Sequence, residues 1–332
     1  MTPPVTQKDI AERIGVSVSL VSRALAGQAE SIGVAKSTVT KVRRAARELG
    51  YLPNASARIL KGASARTVGV VVYDFADPFF GPVIHELQRC AHKSGYSLVL
   101  GGFENRQVWE LDVTALLKHH IDGLIIIGSG PQLDWVAPFV AKGLRVVRIG
   151  HGPSRRGLHT IESNDQQGLT ALVSGLAEKG RQRLAFAGAN HSAHRARFRC
   201  FKRAVQTVLG QGSSVANYFS QTGLWEAGYD AGTHFAAAPK SRRPDAIIAA
   251  SDVIALGILR ALAEHQLEVP ADCAVTGYDD IPAAALAVPA LTTVHQPIIA
   301  MARAAFDQAI EPHTPNVSKT VLAPTPIWRE SA

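Results

Sequence analysis

The sequence predicts an all-α helix-turn-helix headpiece followed by a larger α/β core of doubly wound parallel sheets in two lobes. Three observations predict it. Two short amphipathic helices separated by a glycine turn open the chain. Almost all of the net charge lies at that end. From Thr67 onward, apolar strands alternate with amphipathic helices, and the alternation restarts near residue 165, as expected of parallel sheets covered on both faces.

In the headpiece, Thr6 can cap a first helix, whose apolar face is Ile10, Ala11 and Ile14. Gly15 permits a sharp turn. Ser17 can cap a second helix, where Val21, Ala24 and Leu25 repeat the apolar spacing. Such a helix pair is the unit that lays its second helix in a DNA major groove. A third helix is predicted over about Ser37 to Leu49, with Val39, Val42, Ala45, Ala46 and Leu49 inward and Lys41, Arg43, Arg44 and Arg47 outward. After Pro53, a run of about seven residues before Gly62 is too short to be a stable helix alone. It reads as a hinge that becomes helical when held.

The net charge is +8 over 332 residues. Residues 1–66 carry eleven basic and four acidic side chains, or +7, leaving +1 for the rest. A neutral body with a basic head fits a polyanion bound at one end, although a solvated basic face would give the same count. The length suits two to three domains of ~150 residues. Cys90, Cys200 and Cys273 are widely spaced and outside any CxxC, which favours a reducing cytoplasm over a disulfide framework. No signal peptide is visible, and no apolar run approaches the ~18 residues of a membrane span.

In the core, strands are predicted at Val68–Tyr73, Tyr96–Leu100, Gly123–Ile127 and Val146–Ile149. The intervening helices are Pro82–Ser94, Leu111–His119 and Trp135–Ala141. The second lobe reads as helix Gln167–Lys179, strand Leu184–Ala187, helices Phe201–Leu209 and Trp225–Phe235, strand Ala246–Ala249, helix Val253–His265 and strand Ala274–Gly277. Clefts in this class lie outside the carboxyl ends of the strands.

Several motifs in this order resemble the lac-repressor family of bacterial transcription regulators. They are Asp9-Ile10-Ala11, Val16-Ser17, Val21-Ser22-Arg23, Glu48-Leu49-Gly50-Tyr51-x-Pro53-Asn54, Ala57-Arg58-x-Leu60 and Asp77-Pro78-Phe79-Phe80. Ile121-Asp122-Gly123-Leu124-Ile125, Gly277-Tyr278-Asp279-Asp280, Leu291-Thr292-Thr293-Val294 and Trp328-Arg329-Glu330-Ser331 complete the set. The resemblance implies two lobes like those of periplasmic sugar-binding proteins, crossovers near 162, 293 and 323, a homodimer, and an effector cleft between the lobes. The implied domains are a headpiece, 1–50; a hinge and linker, 51–64; an N-terminal lobe, 65–162 plus 293–323; and a C-terminal lobe, 163–292 plus 324–332. The chain departs from the family pattern in its loop Gly27–Gly33, at Val39, Asp77, Cys200 and Ser251, and in the order Asn164-Asp165.

Val18, Ser19 and Arg23 match the family's base-reading positions. An Arg can grip guanine, a Val can pack on a thymine methyl, and a Ser can donate or accept. Thr6, Ser17 and Ser22 suit phosphate contacts that fix register. Arg23 could equally serve as a phosphate contact or a helix-end charge. With Asn54 and Ala57, Leu60 matches the hinge helix, whose paired leucines are implied to wedge into a minor-groove step.

Phe79, Phe80, Ser129, His191, Arg197, Trp225, Ser251 and Asp279 are the implied effector contacts. One of Phe79 and Phe80 is expected to be mainly structural, and Arg197 could be a surface ion pair. The basic run His191 to Arg199 suits an anionic effector or an exposed charge cluster. His191 and His194 lack a third ligand for a metal. No cofactor is expected. The expected function is repression from a near-palindromic double-stranded operator, controlled by a sugar, sugar acid or sugar phosphate, in the cytoplasm. Two rival readings carry less. In a dinucleotide enzyme, the lone Gly128-Ser129-Gly130 is weak and Pro131 interrupts it. A periplasmic solute-binding protein would need a signal peptide and would lack the basic head.

Overall fold

The computed structural model describes residues 5–27, 29, 33–51, 64–104, 107–108, 115–116, 118, 120–129, 133–153, 155–213, 215–311 and 317–332. The hinge residues Asn54, Ala57 and Leu60, and most of the helix expected over 111–119, lie outside them. The chain divides into two compact units, residues Met1–Ala65 and Arg66–Ala332.

In the first unit, α1 (Gln7–Ile14), α2 (Val18–Leu25) and α3 (Lys36–Glu48) form in the expected order. Thr6 and Asp9 close a capping box: Asp9 Oδ2 accepts from the Thr6 amide at 2.7 Å, and the Asp9 amide donates to Thr6 Oγ1 at 3.4 Å. Gly15 ends α1 with φ of 68°, the left-handed region that glycine enters without steric cost. Ser17 caps α2, its Oγ accepting from the Leu20 amide at 3.2 Å. Ile10, Ala11, Val21, Ala24, Val39, Val42, Ala45 and Ala46 form one buried cluster. A unit this small buries only about 60% of its unfolded surface, so each cap matters to its stability.

The second unit is built on two sheets. The larger has strand order β12-β6-β5-β4-β1-β2-β3, from β1 (Thr67–Val72), β2 (Ser97–Glu104), β3 (Gln107–Val108), β4 (Gly123–Ile127), β5 (Arg145–Ile149), β6 (Leu158–Ser163) and β12 (Lys319–Leu322). Its pairings are parallel except β2 with β3. Alternate side chains face opposite layers. Val70, Ile125 and Val147 pack with Val83 and Leu87 of α4 (Phe80–Ser94) and Phe306 of α11 (Ile298–Ile310). Val71, Leu124 and Val146 pack on the other side with Phe139 of α5 (Ala137–Ala141).

The smaller sheet has order β10-β9-β7-β8, all parallel, from β7 (Leu184–Ala189), β8 (Ala216–Ser220), β9 (Ala246–Ala249) and β10 (Ala274–Thr276). It is covered by α6 (Asp165–Glu178), α7 (Ser192–Leu209), α8 (Leu224–Ala236) and α9 (Asp252–Glu264). A short α10 (Pro282–Leu286) follows, and β11 (Thr293–His295) pairs antiparallel with β13 (Thr325–Ile327).

Among the elements that differ from the sequence expectation, four show why. Helix α7 starts at Ser192, nine residues before the Phe201 expected, because its inward stripe continues through Arg197 and His194 rather than apolar side chains. Strand β6 is polar in sequence, LHTIES, yet buried along its length between β5 and β12. Strand β8, ANYFS, is the sheet edge and mostly accessible, so it lacks a continuous apolar signal. Helix α11 was not anticipated, although its buried face, Met301, Ala302, Ala305, Phe306 and Ala309, has helical spacing.

Candidate functional site

On α2, Val18, Ser19 and Arg23 are exposed and Ser22 is half-buried, opposite the buried Val21 and Ala24. Val18 is 44% exposed. Over five residues the helix rises ~7.5 Å, about two base steps of ~3.4 Å. Thr6 and Ser17, both accessible, are committed by their hydroxyls to helix capping. Ser17 accepts from the Leu20 amide through its hydroxyl oxygen and keeps its O–H to donate, whereas the Thr6 hydroxyl also donates to Asp9 Oδ2 at 2.7 Å.

In the second unit, a cleft opens at the carboxyl ends of the strands. In the larger sheet the order reverses between β1 and β4; in the smaller it reverses between β7 and β9. These are the topological switch points where open α/β sheets bind ligands. Phe79 and Phe80 follow β1, Ser129 follows β4, His191 follows β7 and Ser251 follows β9. All five line one cavity together with Arg197 and Asp279. The open space is ≈ 70 Å³, far less than the ~300–1,000 Å³ of a typical ligand pocket. The cleft is closed: Ser192 Oγ donates to the Ser129 carbonyl at 2.8 Å, and Tyr73 meets His191 edge-on at 5.0 Å.

Arg197 is the hub. It is 7% exposed. Its Nε donates to Asp165 Oδ2 at 3.3 Å, its Nη1 to the Ala250 carbonyl at 2.6 Å, and its Nη2 lies 3.3 Å from Asp279 Oδ1. The guanidinium carbon sits 3.9 Å from the Tyr278 ring centre, and Tyr278 OH donates to Asp165 Oδ1 at 2.8 Å. Burial drives Asp165 upward, but Arg197 and His151 outweigh it and bring its pKa to about 2. Asp279 moves well above the carboxylate range, because burial and the nearby Asp252 and Asp77 outweigh Arg197. Its Oδ1 accepts from Gln296 Nε2 at 2.6 Å. Asp279 and Asp280 both hold positive φ, 114° and 54°. That costs ~1–3 kcal/mol per residue and is the kind of strain that clusters at functional sites.

The remaining predicted contacts are placed as follows. Phe80 is buried in the core of the larger sheet, whereas Phe79 packs against the buried clusters of both sheets. Asp77 Oδ1 accepts from the Phe79 amide at 3.0 Å, shaping the turn that presents the two rings. His191 caps α7. Ser251 caps α9, accepting from the Ile254 amide at 3.5 Å. Trp225 does not line the cavity. It is 45% exposed and stacks on Tyr229 one turn later, because α8 turns Ala227, Gly228 and Ala231 inward instead.

The basic run 191–199 also resolves differently from expectation. Only Arg197 among its arginines reaches the cavity. Arg195 lies over Phe219 at 3.7 Å, and Arg199 is exposed. His194 is driven well below its ordinary pKa by burial; neutral, its Nδ1 accepts from the Ala189 amide at 3.2 Å.

Sequence reasoning missed His151, Asp165, Tyr278 and Gln296. His151 lines the cavity, with Nδ1 3.2 Å from Glu162 Oε2 and Nε2 3.0 Å from Asp165 Oδ2. Burial lowers its pKa, but the bonds to the two carboxylates prevail and raise it to about 9. Its place between two glycines just after a strand was the available signal. Among the described residues, no cluster of three or more His, Cys, Asp or Glu could hold a metal ion, and no helix is long and apolar enough to cross a membrane.

A helix-turn-helix unit joined to a two-lobed α/β core, with buried polar groups fixed in an interlobe cleft, defines a class of ligand-responsive DNA-binding regulators. Residues 6–54 match bacterial regulatory proteins of the lacI family, and residues 173–332 match the periplasmic binding protein-like domain. The ribose operon repressor of Escherichia coli (strain K12) is 30% identical over 334 residues, covering 98% of each chain. The HTH-type transcriptional repressor PurR of Photobacterium profundum is 29% identical over 312 residues, 92% of this chain and 91% of its own. The crystal structure of the Lac repressor bound to ONPG in its repressed state aligns with a TM-score of 0.83 at 25% identity, over 99% of this chain and 100% of that one. The chain belongs to the lacI family of bacterial regulatory proteins. It is a transcriptional regulator and not an enzyme.

Proposed function

We propose that the protein is a homodimeric repressor, acting in the cytoplasm, whose grip on a near-palindromic operator is set by a sugar-type effector in the interlobe cleft. The observation that carries this reading is Arg197, bonded to both Asp165 and Asp279 at the strand ends of a closed cleft. Such fixed polar groups in a mostly apolar cavity orient a polyhydroxyl ligand. Phe79, Phe80, Ser129, His191, Ser251 and Asp279 are its further proposed contacts. Arg197 is already matched by the Asp165 carboxylate, and Arg195 and Arg199 do not line the cavity. An uncharged sugar therefore fits better than a sugar acid or sugar phosphate.

Val18, Ser19 and Arg23 read bases, Thr6, Ser17 and Ser22 hold phosphates, and Asn54, Ala57 and Leu60 form the minor-groove hinge. The proposed domain limits are 1–50, 51–64, 65–162 with 293–323, and 163–292 with 324–332. Ligand binding shifts the population of lobe angles and with it the spacing of the two headpieces.

The test is selection of binding sites from random DNA, followed by anisotropy titrations with D-ribose, D-ribose 5-phosphate and D-gluconate. A two-fold symmetric motif is expected, with affinity changed about 5- to 150-fold by the neutral sugar. An enriched motif without symmetry, or one indifferent to every sugar, overturns the reading.

A further inference from the structure

Arg148, on β5, is completely buried, although a guanidinium is costly to take out of water. Its Nη2 donates to the Gly152 carbonyl at 2.8 Å, to the Pro153 carbonyl at 3.3 Å, and to Thr160 Oγ1 on the neighbouring β6 at 3.3 Å. A side chain at Gly152 would collide with that guanidinium. Ser129 Oγ fixes the same loop from β4's end by accepting the His151 amide at 3.0 Å. The loop is thus gripped on both sides of one residue, His151.

His151 in turn meets carboxylates from two elements: Glu162 on β6 and Asp165 at the start of α6. Glu162 is also paired with Lys319 of β12 at 2.9 Å, and Asp165 with Arg197 of α7 at 3.3 Å. These are the charged groups facing the imidazole from β6, α6, α7 and β12.

We propose that His151 is a positioning residue for effector recognition: as an imidazolium pinned between Glu162 and Asp165, it holds Asp165 where Arg197 must meet it, and Arg148 holds His151 there. The route runs from the buried arginine through the loop to His151, then Asp165, Arg197 and Asp279. Deprotonating His151 removes one of the two charged donors on Asp165 and loosens the aim of Arg197. The raised pKa places that event above neutral pH.

The experiment is ¹⁵N nuclear resonance of the full chain between pH 5 and 10.5, with the His151 ring signal identified by its loss in His151→Gln. His151 is expected to titrate near 9, and the Arg197 Nε–H signal to move with the same midpoint. In His151→Gln the Arg197 signal is expected to lose the transition at that midpoint, whatever change follows the protonation of neighbouring Asp279. Arg148→Met is expected to bring the His151 midpoint down toward the ordinary ~6.5. If Arg148→Met does not fold, Gly152→Ala displaces the guanidinium without removing it and serves the same comparison.

A His151 midpoint near 6.5 in the wild type, or an Arg197 signal that ignores His151, overturns the proposal. The resonance readout is independent of any effector, whereas a ribose readout rests on the effector reading above. Calorimetric D-ribose affinity is expected to fall about tenfold in His151→Gln at pH 7 and in the wild type from pH 7 to 10. Ribose affinity unchanged by both also overturns the proposal. A wild type that binds no ribose counts against the choice of sugar, and the resonance result then decides His151 alone.

Discussion

Arg197 shows how one side chain sets the chemistry of the cleft. Its guanidinium satisfies Asp165, Asp279 and the Ala250 carbonyl at once, a fork that lysine cannot reproduce. Arg197, Asp165 and Asp279 are all nearly inaccessible, so solvent does little to weaken their contacts. Arg197→Leu would leave the buried Asp165 carboxylate without its arginine and Asp279 with one hydrogen-bond donor fewer. Breaking such a network typically costs ~3–5 kcal/mol, far more than a surface pair contributes. Urea unfolding of the variant should show a loss of that size; a change below ~1 kcal/mol would mean that Asp165 simply takes up a proton. Asp279 was legible in the sequence because it sits in the Gly277-to-Asp280 motif, and Arg197 because it matches a family position. Asp165 and His151 were not, because their importance comes from each other: they are fourteen residues apart in sequence and 3.0 Å apart in space.

Among the elements, α8 and α9 make an unusually close pair. Gly228 and Gly232 on one helix and Gly257 on the other leave no room for a Cβ: at Gly228 it would strike the Ile254 carbonyl, and at Gly257 the backbone of Trp225 and Tyr229. The contact is backbone against backbone, so neither helix can yield by changing a rotamer. Gly228→Ala is expected to lower the unfolding free energy by ~1–3 kcal/mol despite the higher helix propensity of alanine. A variant as stable as the wild type in thermal melts would show that the helices can separate. The close approach also bears on Trp225. With its carbonyl at the helix contact, the ring is left to stack on Tyr229 outside the cavity.

For the molecule as a whole, charge and core are partitioned between two units. The headpiece holds its own buried cluster around Ile10, Val21 and Val42, and the core holds separate clusters on its two sheets. Removing residues 1–62 is therefore expected to abolish DNA binding while leaving the melting temperature and sugar affinity of the remainder within error. Calorimetry and gel-shift titration of the truncated chain check both halves. A remainder that fails to fold, or that still binds DNA specifically, would contradict the partition.

The sequence alone determined the helix-turn-helix pair, the α/β alternation and the +7 headpiece charge, because caps, periodicity and charge are local properties carried by near neighbours. Of the eight effector contacts it named, seven line the cavity, since strand ends in this class converge on one crevice. Only the tertiary structure decided that Trp225 faces away, that Arg195 and Arg199 do not line the cleft, and that β6 is buried despite its polar sequence. It alone brought His151 onto Asp165. These outcomes depend on which distant strand or helix supplies a neighbour, and burial and charge pairing between remote residues leave no periodic mark in the chain.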